Sequence, residues 1–127
     1  MVESNFDFSK YFEKTKHLVW NETESMSCPD NFYSILEEKV PYLLDKIEKA
    51  KKIPNIDEYF IKYLKENLEV NHEMRKYYKH TPCWYLTKTG KESFVYASPE
   101  IKTQVWINFK LTLIWIKKLE TDFNCVR

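Results

Sequence analysis

The fold depends most on the stretch of residues 98–119, SPEIKTQVWINFKLTLIWIKKL. Ser98, Pro99 and Glu100 mark a helix start: an N-cap, a proline in the first turn and an acid near the positive end of the helix dipole. Apolar residues then recur at three- and four-residue steps and cover most sides of the helix. A helix of this kind is either central in its domain or shared with a partner. The stretch therefore predicts much of the core and also a candidate partner interface, formed by Trp106, Phe109, Leu113 and Trp115.

Two further helices are predicted in the first half of the chain. The first, around residues 8–18, lies in an N-terminal segment, residues 1–28, which we expect to be loosely packed. The second has Asp30 as its candidate cap and an amphipathic stripe over residues 32–50. Pro41 lies inside that stripe. Because proline lacks a backbone donor and disfavours helical angles in the residue before it, we expect a kink or a break there.

A third helix and a hairpin are predicted before the last helix. Asn55 is a candidate N-cap with Glu58 three residues on, as in a capping box, and the apolar pattern continues toward Tyr78. The period then changes to two β-rich runs on either side of Gly90, where a turn favours positive φ. These runs predict a β-hairpin over residues 83–97.

Length and composition fit one small domain. The chain has 127 residues, enough to bury about 68% of the surface of the unfolded chain. Hydrophobic residues at 43% and aromatic residues at 17% exclude a disordered or collagen-like chain. We therefore predict a single, mainly α domain over residues 1–127: a small irregular bundle of three to four helices with one β-hairpin before the C-terminal helix.

Residue patterns for enzyme or metal chemistry are sparse. The chain has one glycine, which excludes dinucleotide fingerprints, phosphate-binding loops and nucleophile elbows. His80 and Cys83 are half of a zinc site, whereas zinc needs three or four ligands. A nucleophile pair of Cys83 with His72 or His80 gains no support from its short spacing, because Cys–His enzymes draw these residues from distant positions. We expect a non-enzymatic protein without catalytic, cofactor-binding or metal-binding residues.

Charge, cysteines and hydropathy predict a soluble protein of the cytoplasm. The net charge of +1 indicates no global field for nucleic acid or acidic membranes. Cys28, Cys83 and Cys125 are widely spaced, which favours free thiols in a reducing compartment; one disulfide plus a spare thiol is the alternative. The chain opens without a signal-peptide pattern. Its longest apolar stretch, residues 105–116, is too short for a bilayer, which takes about 20 residues, so we expect no membrane insertion.

The basic residues are strongly skewed toward lysine. Of the 20 lysines and arginines, only Arg75 and Arg127 are arginine, while alanine is scarce and Asn, Ile, Phe and Tyr are abundant. This skew indicates an AT-rich coding genome, such as that of a virus, a phage or an AT-rich microbe. It describes the source of the chain and leaves its function open.

One local segment departs from the neutral average. Residues 75–91 contain basic residues and no acidic residue, with aromatic residues between them. Because lysines neutralise phosphates and aromatic rings stack on unpaired bases, the segment predicts a nucleic-acid contact by Arg75, Lys76, Lys79, Trp84, Lys88 and Lys91. A solvated hairpin with a lysine-rich tip is the alternative interpretation.

Part of this segment resembles a known family. Residues 84–92, WYLTKTGKE, are similar to the Tyr-x-Leu-Thr-x-x-Gly stretch near the wing of some winged-helix transcription regulators, with Trp84 in place of the tyrosine. The resemblance covers these nine residues. It implies a nucleic-acid-binding regulator in which the predicted hairpin is the wing.

Protein–protein contact is the function that we expect from these patterns taken together. The chain would be a small regulatory or interaction protein, either a homodimer or a subunit of a larger assembly. Aromatic and aliphatic surface of the last helix would be buried in the contact, and lysine-rich surface would set orientation and association rate. The alternative function is a winged-helix-like regulator that binds nucleic acid through residues 75–91.

Overall fold

The fold is a helical bundle in the computed structural model of the chain. The structure describes residues 6–25, 29, 31–68 and 99–127. These residues form four α-helices and a terminal turn of 3₁₀-helix, which we label in chain order: α1 (Phe8–Glu24), α2 (Phe32–Ala50), α3 (Glu58–Asn67), α4 (Pro99–Asp122) and the 3₁₀ turn (Asn124–Val126).

The predicted fold class is wrong in its β component. Every element of the described residues is helical, and no strand or sheet occurs among them. The small, mainly helical bundle is confirmed, whereas a bundle with one β-hairpin is not. The hairpin was predicted for residues 83–97, which lie outside the described residues.

Helix starts follow local capping chemistry, but not always at the predicted residue. The Asp57 side chain accepts a hydrogen bond from the backbone N–H of Tyr59 at 2.8 Å and so caps α3. The predicted cap, Asn55, instead lies in the preceding turn at φ 63°. Asparagine tolerates this left-handed conformation better than most residues do. It therefore reverses the chain between α2 and α3, and a carboxylate two residues later caps the helix.

Helix α2 continues through Pro41, so the predicted break is absent. Proline fixes φ near the helical value, and its cost comes from a lost hydrogen bond and a ring clash with the preceding turn. Pro41 is exposed, whereas Val40 before it and Leu43 two residues after it are fully buried. Burial of the apolar stripe on both halves of α2 offsets that local cost; the stripe comprises Leu36, Val40, Leu43 and Ile47.

Helix α4 is the centre of the bundle, as one of the two interpretations of its apolar surface predicted. It packs against α1, α2, α3 and the 3₁₀ turn. Thr112 is fully buried in the middle of α4, and its hydroxyl donates to the carbonyl of Asn108 at 3.0 Å. This bond satisfies the one polar group of that side chain within the helix itself.

Helix α1 packs on the core, although the sequence predicts a loosely packed N-terminal segment over residues 1–28. Phe8 and Val19 are buried, and α1 packs against α4. The Tyr11 hydroxyl donates to Asp122 at 2.8 Å, which joins the start of α1 to the end of α4. Burial and the carboxylate of Asp122 raise the pKa of Tyr11 far above its usual value. The described part of the segment 1–28 thus belongs to the bundle.

None of the helices in the described ranges has both the length and the apolar run needed to cross a membrane. Even α4, the most apolar helix by pattern, is interrupted by Lys110, Lys117 and Lys118.

Candidate protein-interaction site

The predicted interface residues of α4 lie mostly inside the chain. Trp106, Phe109 and Trp115 are buried, and Leu113 is half-buried. The rings of Trp106 and Phe109 stack on each other with centroids 5.4 Å apart. In this conformation three of the four side chains pack within the bundle and do not form a free surface. Their participation in an interface stays a prediction.

The predicted nucleic-acid contact lies outside the described residues. This holds for all six of its side chains, namely Arg75, Lys76, Lys79, Trp84, Lys88 and Lys91. The winged-helix resemblance falls on the same part of the chain. Nucleic-acid binding by this segment therefore stays a prediction.

An aromatic cluster joins α1, α3 and α4. The ring of Phe60, on α3, lies 4.9 Å from that of Phe8 and 4.9 Å from that of Trp115. Phe12, on α1, stacks on Trp115 with centroids 5.4 Å apart and an angle of 5° between the rings. Offset-stacked and edge-to-face pairs of this kind stabilise packing beyond the buried area alone. The cluster fixes the relative positions of the three helices.

The outer side of this cluster is open and forms a groove between α1 and α3. Two adjoining hollows of about 250 and 280 Å³ share Phe12 and Tyr63 as lining residues. Trp115 contributes to the floor of the second hollow. We call this surface the aromatic groove and define it by Phe12, Trp20, Tyr59, Tyr63 and Trp115.

The rim of the aromatic groove is unusually exposed for its residue types. Tyr59 is 81% exposed, Trp20 46% and Tyr63 40%. Burial of the rest of the Tyr63 ring raises the pKa of its hydroxyl. Isolated exposed aromatics are normal on protein surfaces, but several along one groove indicate a contact surface. Trp and Tyr are also enriched among residues that contribute most to binding energy.

Helical spacing explains why these residues share a surface. Tyr59 and Tyr63 are four residues apart on α3 and therefore lie on the same face of the helix. That face is next to the one from which Phe60 enters the core. Phe12 and Trp20 are eight residues apart on α1 and therefore lie on one side of it. By sequence pattern alone, Tyr59 and Tyr63 widen the apolar face of the third helix, which gives no sign that they remain exposed. Helix α3 has more aromatic residues than its buried face can hold, and this excess, rather than the pattern, was the sequence signal for a contact surface.

A polar contact on another side of the bundle ties α2 to α4. Lys46 Nζ lies 3.0 Å from Glu120 Oε2, and the Tyr42 hydroxyl donates to the same carboxylate at 2.8 Å. Desolvation by burial opposes ionisation of Glu120, but the hydrogen bonds from Tyr42 and Lys46 prevail and lower the pKa of Glu120. Arg127 donates to the Glu120 backbone carbonyl at 3.0 Å. All of these groups have partners within the fold, which favours a structural role.

Residues with metal-binding chemistry do not assemble in the described part of the chain. No group of three or more His, Cys, Asp or Glu side chains there is placed to hold a metal ion. Cys125 is an exposed free thiol, whereas Cys28, His80 and Cys83 lie outside the described residues.

Comparison with known proteins gives no match to this chain. No protein-family model, no curated protein and no solved structure is similar to it at a significant level. The site is therefore argued from its own residues.

Proposed function

We propose that this chain is a non-enzymatic protein that acts through protein–protein contact at the aromatic groove. The observation that supports this most directly is the exposure of Trp20, Tyr59 and Tyr63 along two adjoining hollows, of which Tyr63 lines both. Burial of such rings by a partner removes a large apolar area from water, while their rigid side chains lose little conformational freedom. The partner is a second copy of the chain or another protein.

The position of the groove suits this function. Its floor consists of buried rings from three helices, so the surface is held rigid before a partner binds. A preformed surface avoids part of the ordering cost of association. Lys16 and His17 lie at one end and Asp57 at the other, giving the polar rim that surrounds the apolar centre of most interfaces.

The test compares a groove variant with a matched control outside the groove. Trp20→Ser with Tyr59→Ser removes two exposed rings of the groove. Leu18→Ser removes an exposed apolar side chain of α1 that does not line it. We expect the groove variant to weaken binding at least 30-fold, as for truncation of residues worth about 2 kcal/mol, and the control to bind as the unchanged chain does.

Two measurements cover both kinds of partner. Light scattering over a concentration range detects self-association. Affinity capture from the native host, with the unchanged chain, the groove variant and the control as bait, detects a partner at stoichiometric amount. Loss of the dimer or of the captured partner in the groove variant alone supports the proposal. A strict monomer that captures no partner, or equal loss in the control, contradicts it.

A further inference from the structure

The turn between α2 and α3 forms a separate hollow that shares no lining residue with the aromatic groove. Its volume is about 640 Å³. Ile53 and Ile61 are buried and form an apolar floor, and Pro54 and Ile56 are half-buried beside them. A surface of this size and composition can accept an aliphatic side chain.

Positive charge surrounds this floor. One acidic residue, Glu58, lines the hollow together with four exposed lysines: Lys51, Lys52, Lys62 and Lys65. We call this hollow the lysine cleft. Lys51 is paired with Glu48 at 2.9 Å, and the hydrogen bond from Lys51, together with the charge of Lys65, lowers the pKa of Glu48. No carboxylate of the described residues is in ion-pair contact with Lys52, Lys62 or Lys65. The cleft thus has a local positive charge in a chain of net charge +1.

The fold brings these charges together from two helices. Lys62 and Lys65 follow Glu58 and Ile61 on one side of α3, at the i, i+3, i+4 and i+7 spacing. Lys51 and Lys52 come directly after the end of α2 and reach the same cleft because the chain turns back before α3. Lysines near the C-terminal end of a helix also favour its dipole. The helix dipole does not explain why an apolar floor lies between Lys51 and Lys52 on one side and Lys62 and Lys65 on the other.

We propose that the lysine cleft binds an acidic segment of a protein partner that carries an aliphatic side chain. Carboxylates of the segment lie against Lys52, Lys62 and Lys65, and the aliphatic side chain covers Ile53 and Ile61. This inference rests on the proposed function and adds the chemistry of the partner. Charge complementarity of this kind steers association and fixes the register of a bound segment.

The lining of the cleft favours an acidic peptide over a nucleic acid. The lining contains no aromatic side chain on which a base could stack, and no arginine whose planar fork could hold a phosphate in a bidentate pair. An apolar floor gives no advantage to a phosphodiester backbone, which is charged along its length. It does stabilise a bound aliphatic side chain by excluding water from both surfaces.

The experiment measures the binding of a short fluorescein-labelled peptide of alternating glutamate and leucine to the full chain by fluorescence anisotropy. Two companion peptides have glutamine in place of every glutamate and serine in place of every leucine. We expect the parent peptide to bind, and its affinity to fall as the salt concentration rises. Each companion should bind at least about tenfold more weakly, because each lacks one of the two complementary features.

Charge-reversal variants locate the binding on the protein. Lys62→Glu with Lys65→Glu should raise the Kd of the parent peptide at least about tenfold. The matched control, Lys14→Glu with Lys117→Glu, makes the same change in net charge at exposed lysines outside the cleft and should leave the Kd within about twofold at moderate salt. Circular dichroism checks that both variants keep the helical content of the parent chain.

Several outcomes overturn the inference. They are absence of peptide binding at millimolar concentration, equal binding of either companion peptide, equal weakening by the two charge-reversal pairs, and a labelled single-stranded oligonucleotide that binds at the cleft more tightly than the peptide does. The groove variant of Trp20 and Tyr59 should bind the peptide normally. Failure at the lysine cleft is therefore separable from failure of the aromatic groove, which is measured by self-association and partner capture.

Discussion

Replacement of Phe60 by alanine tests whether the aromatic cluster holds the bundle together. Phe60 is 5% exposed, and its ring contacts Phe8, Phe12, Tyr63 and Trp115, with centroid distances from 4.9 to 6.4 Å. These neighbours come from α1, α3 and α4. Truncation at this position therefore removes the contacts between helices while it leaves each helix chemically able to form.

The expected loss of stability follows from burial and from the cavity left behind. Removal of a buried phenylalanine side chain costs about 3–5 kcal/mol, because the transfer free energy of the ring is lost and the surroundings relax only in part. The aromatic groove borders the site, so neighbouring rings can shift toward the gap, and we place the loss near the lower end, about 3 kcal/mol. About a few tenths of a kcal/mol of stability are regained, because alanine has a higher helix propensity than phenylalanine.

The adjacent residue provides a matched control. Tyr59 is an aromatic residue on the same helix, 81% exposed, and Tyr59→Ala makes a similar change in helix propensity without opening a cavity. Its effect should stay within about 0.5 kcal/mol. Urea unfolding followed by tryptophan fluorescence and by circular dichroism gives both free energies of unfolding, and coincidence of the two transitions checks two-state behaviour.

The difference between the two variants decides the matter. The reasoning requires Phe60→Ala to lose at least about 2 kcal/mol more than Tyr59→Ala. Equal losses, or a larger loss for Tyr59→Ala, would refute the packing of α3 on α1 and α4 described above, and with it the rigid floor of the aromatic groove.

Two further predictions concern the contact of α2 with α4 and the interior of α2. Glu120→Gln should lower the free energy of unfolding by about 1–2 kcal/mol, because it weakens charge-assisted bonds to Lys46 and Tyr42, whereas Glu13→Gln at an exposed ion pair should cost less than about 0.5 kcal/mol. Since the pKa of Glu120 is lowered in the folded state, this contribution is present above the unfolded pKa and disappears as the pH falls through the folded one; urea unfolding down to acid pH should show the parent and Glu120→Gln converging. Pro41→Ala should raise the free energy of unfolding by about 1–2 kcal/mol, because it restores a backbone donor at an exposed position; a lower thermal midpoint would contradict it.

Sequence patterns predicted the helices better than their ends. The start of α4 at Pro99 agrees with the cap predicted from the sequence, and the centrality of that helix agrees with the breadth of its apolar surface. The N-cap of α3 was misplaced because Asn55 and Asp57 both suit a helix start, and only the direction of the turn decides which one serves. Of the kink or break expected at Pro41, the break is absent, because a local penalty was weighed without the burial around it.

The candidate site was less predictable than the fold. The three aromatic residues of α4 that the sequence assigned to a partner interface are all buried in the bundle, and their part in an interface stays a prediction. Composition cannot tell an inward aromatic from an outward one when the helix is apolar on most sides. The aromatic groove depends on how α1 and α3 are set against each other, which no single helix pattern contains.

The sequence by itself indicated where each helix of the described chain lies, and that α4 has apolar surface on most sides, which suits either a central helix or one shared with a partner. Local physics is sufficient for this, since capping and periodicity act within a few residues. The tertiary structure decided which rings remain exposed and which lysines meet across a turn. Tyr59 and Phe60 are neighbours in sequence with opposite burial, and Lys52 and Lys65 share a cleft from two different segments, because packing between helices assigns each side chain its surroundings.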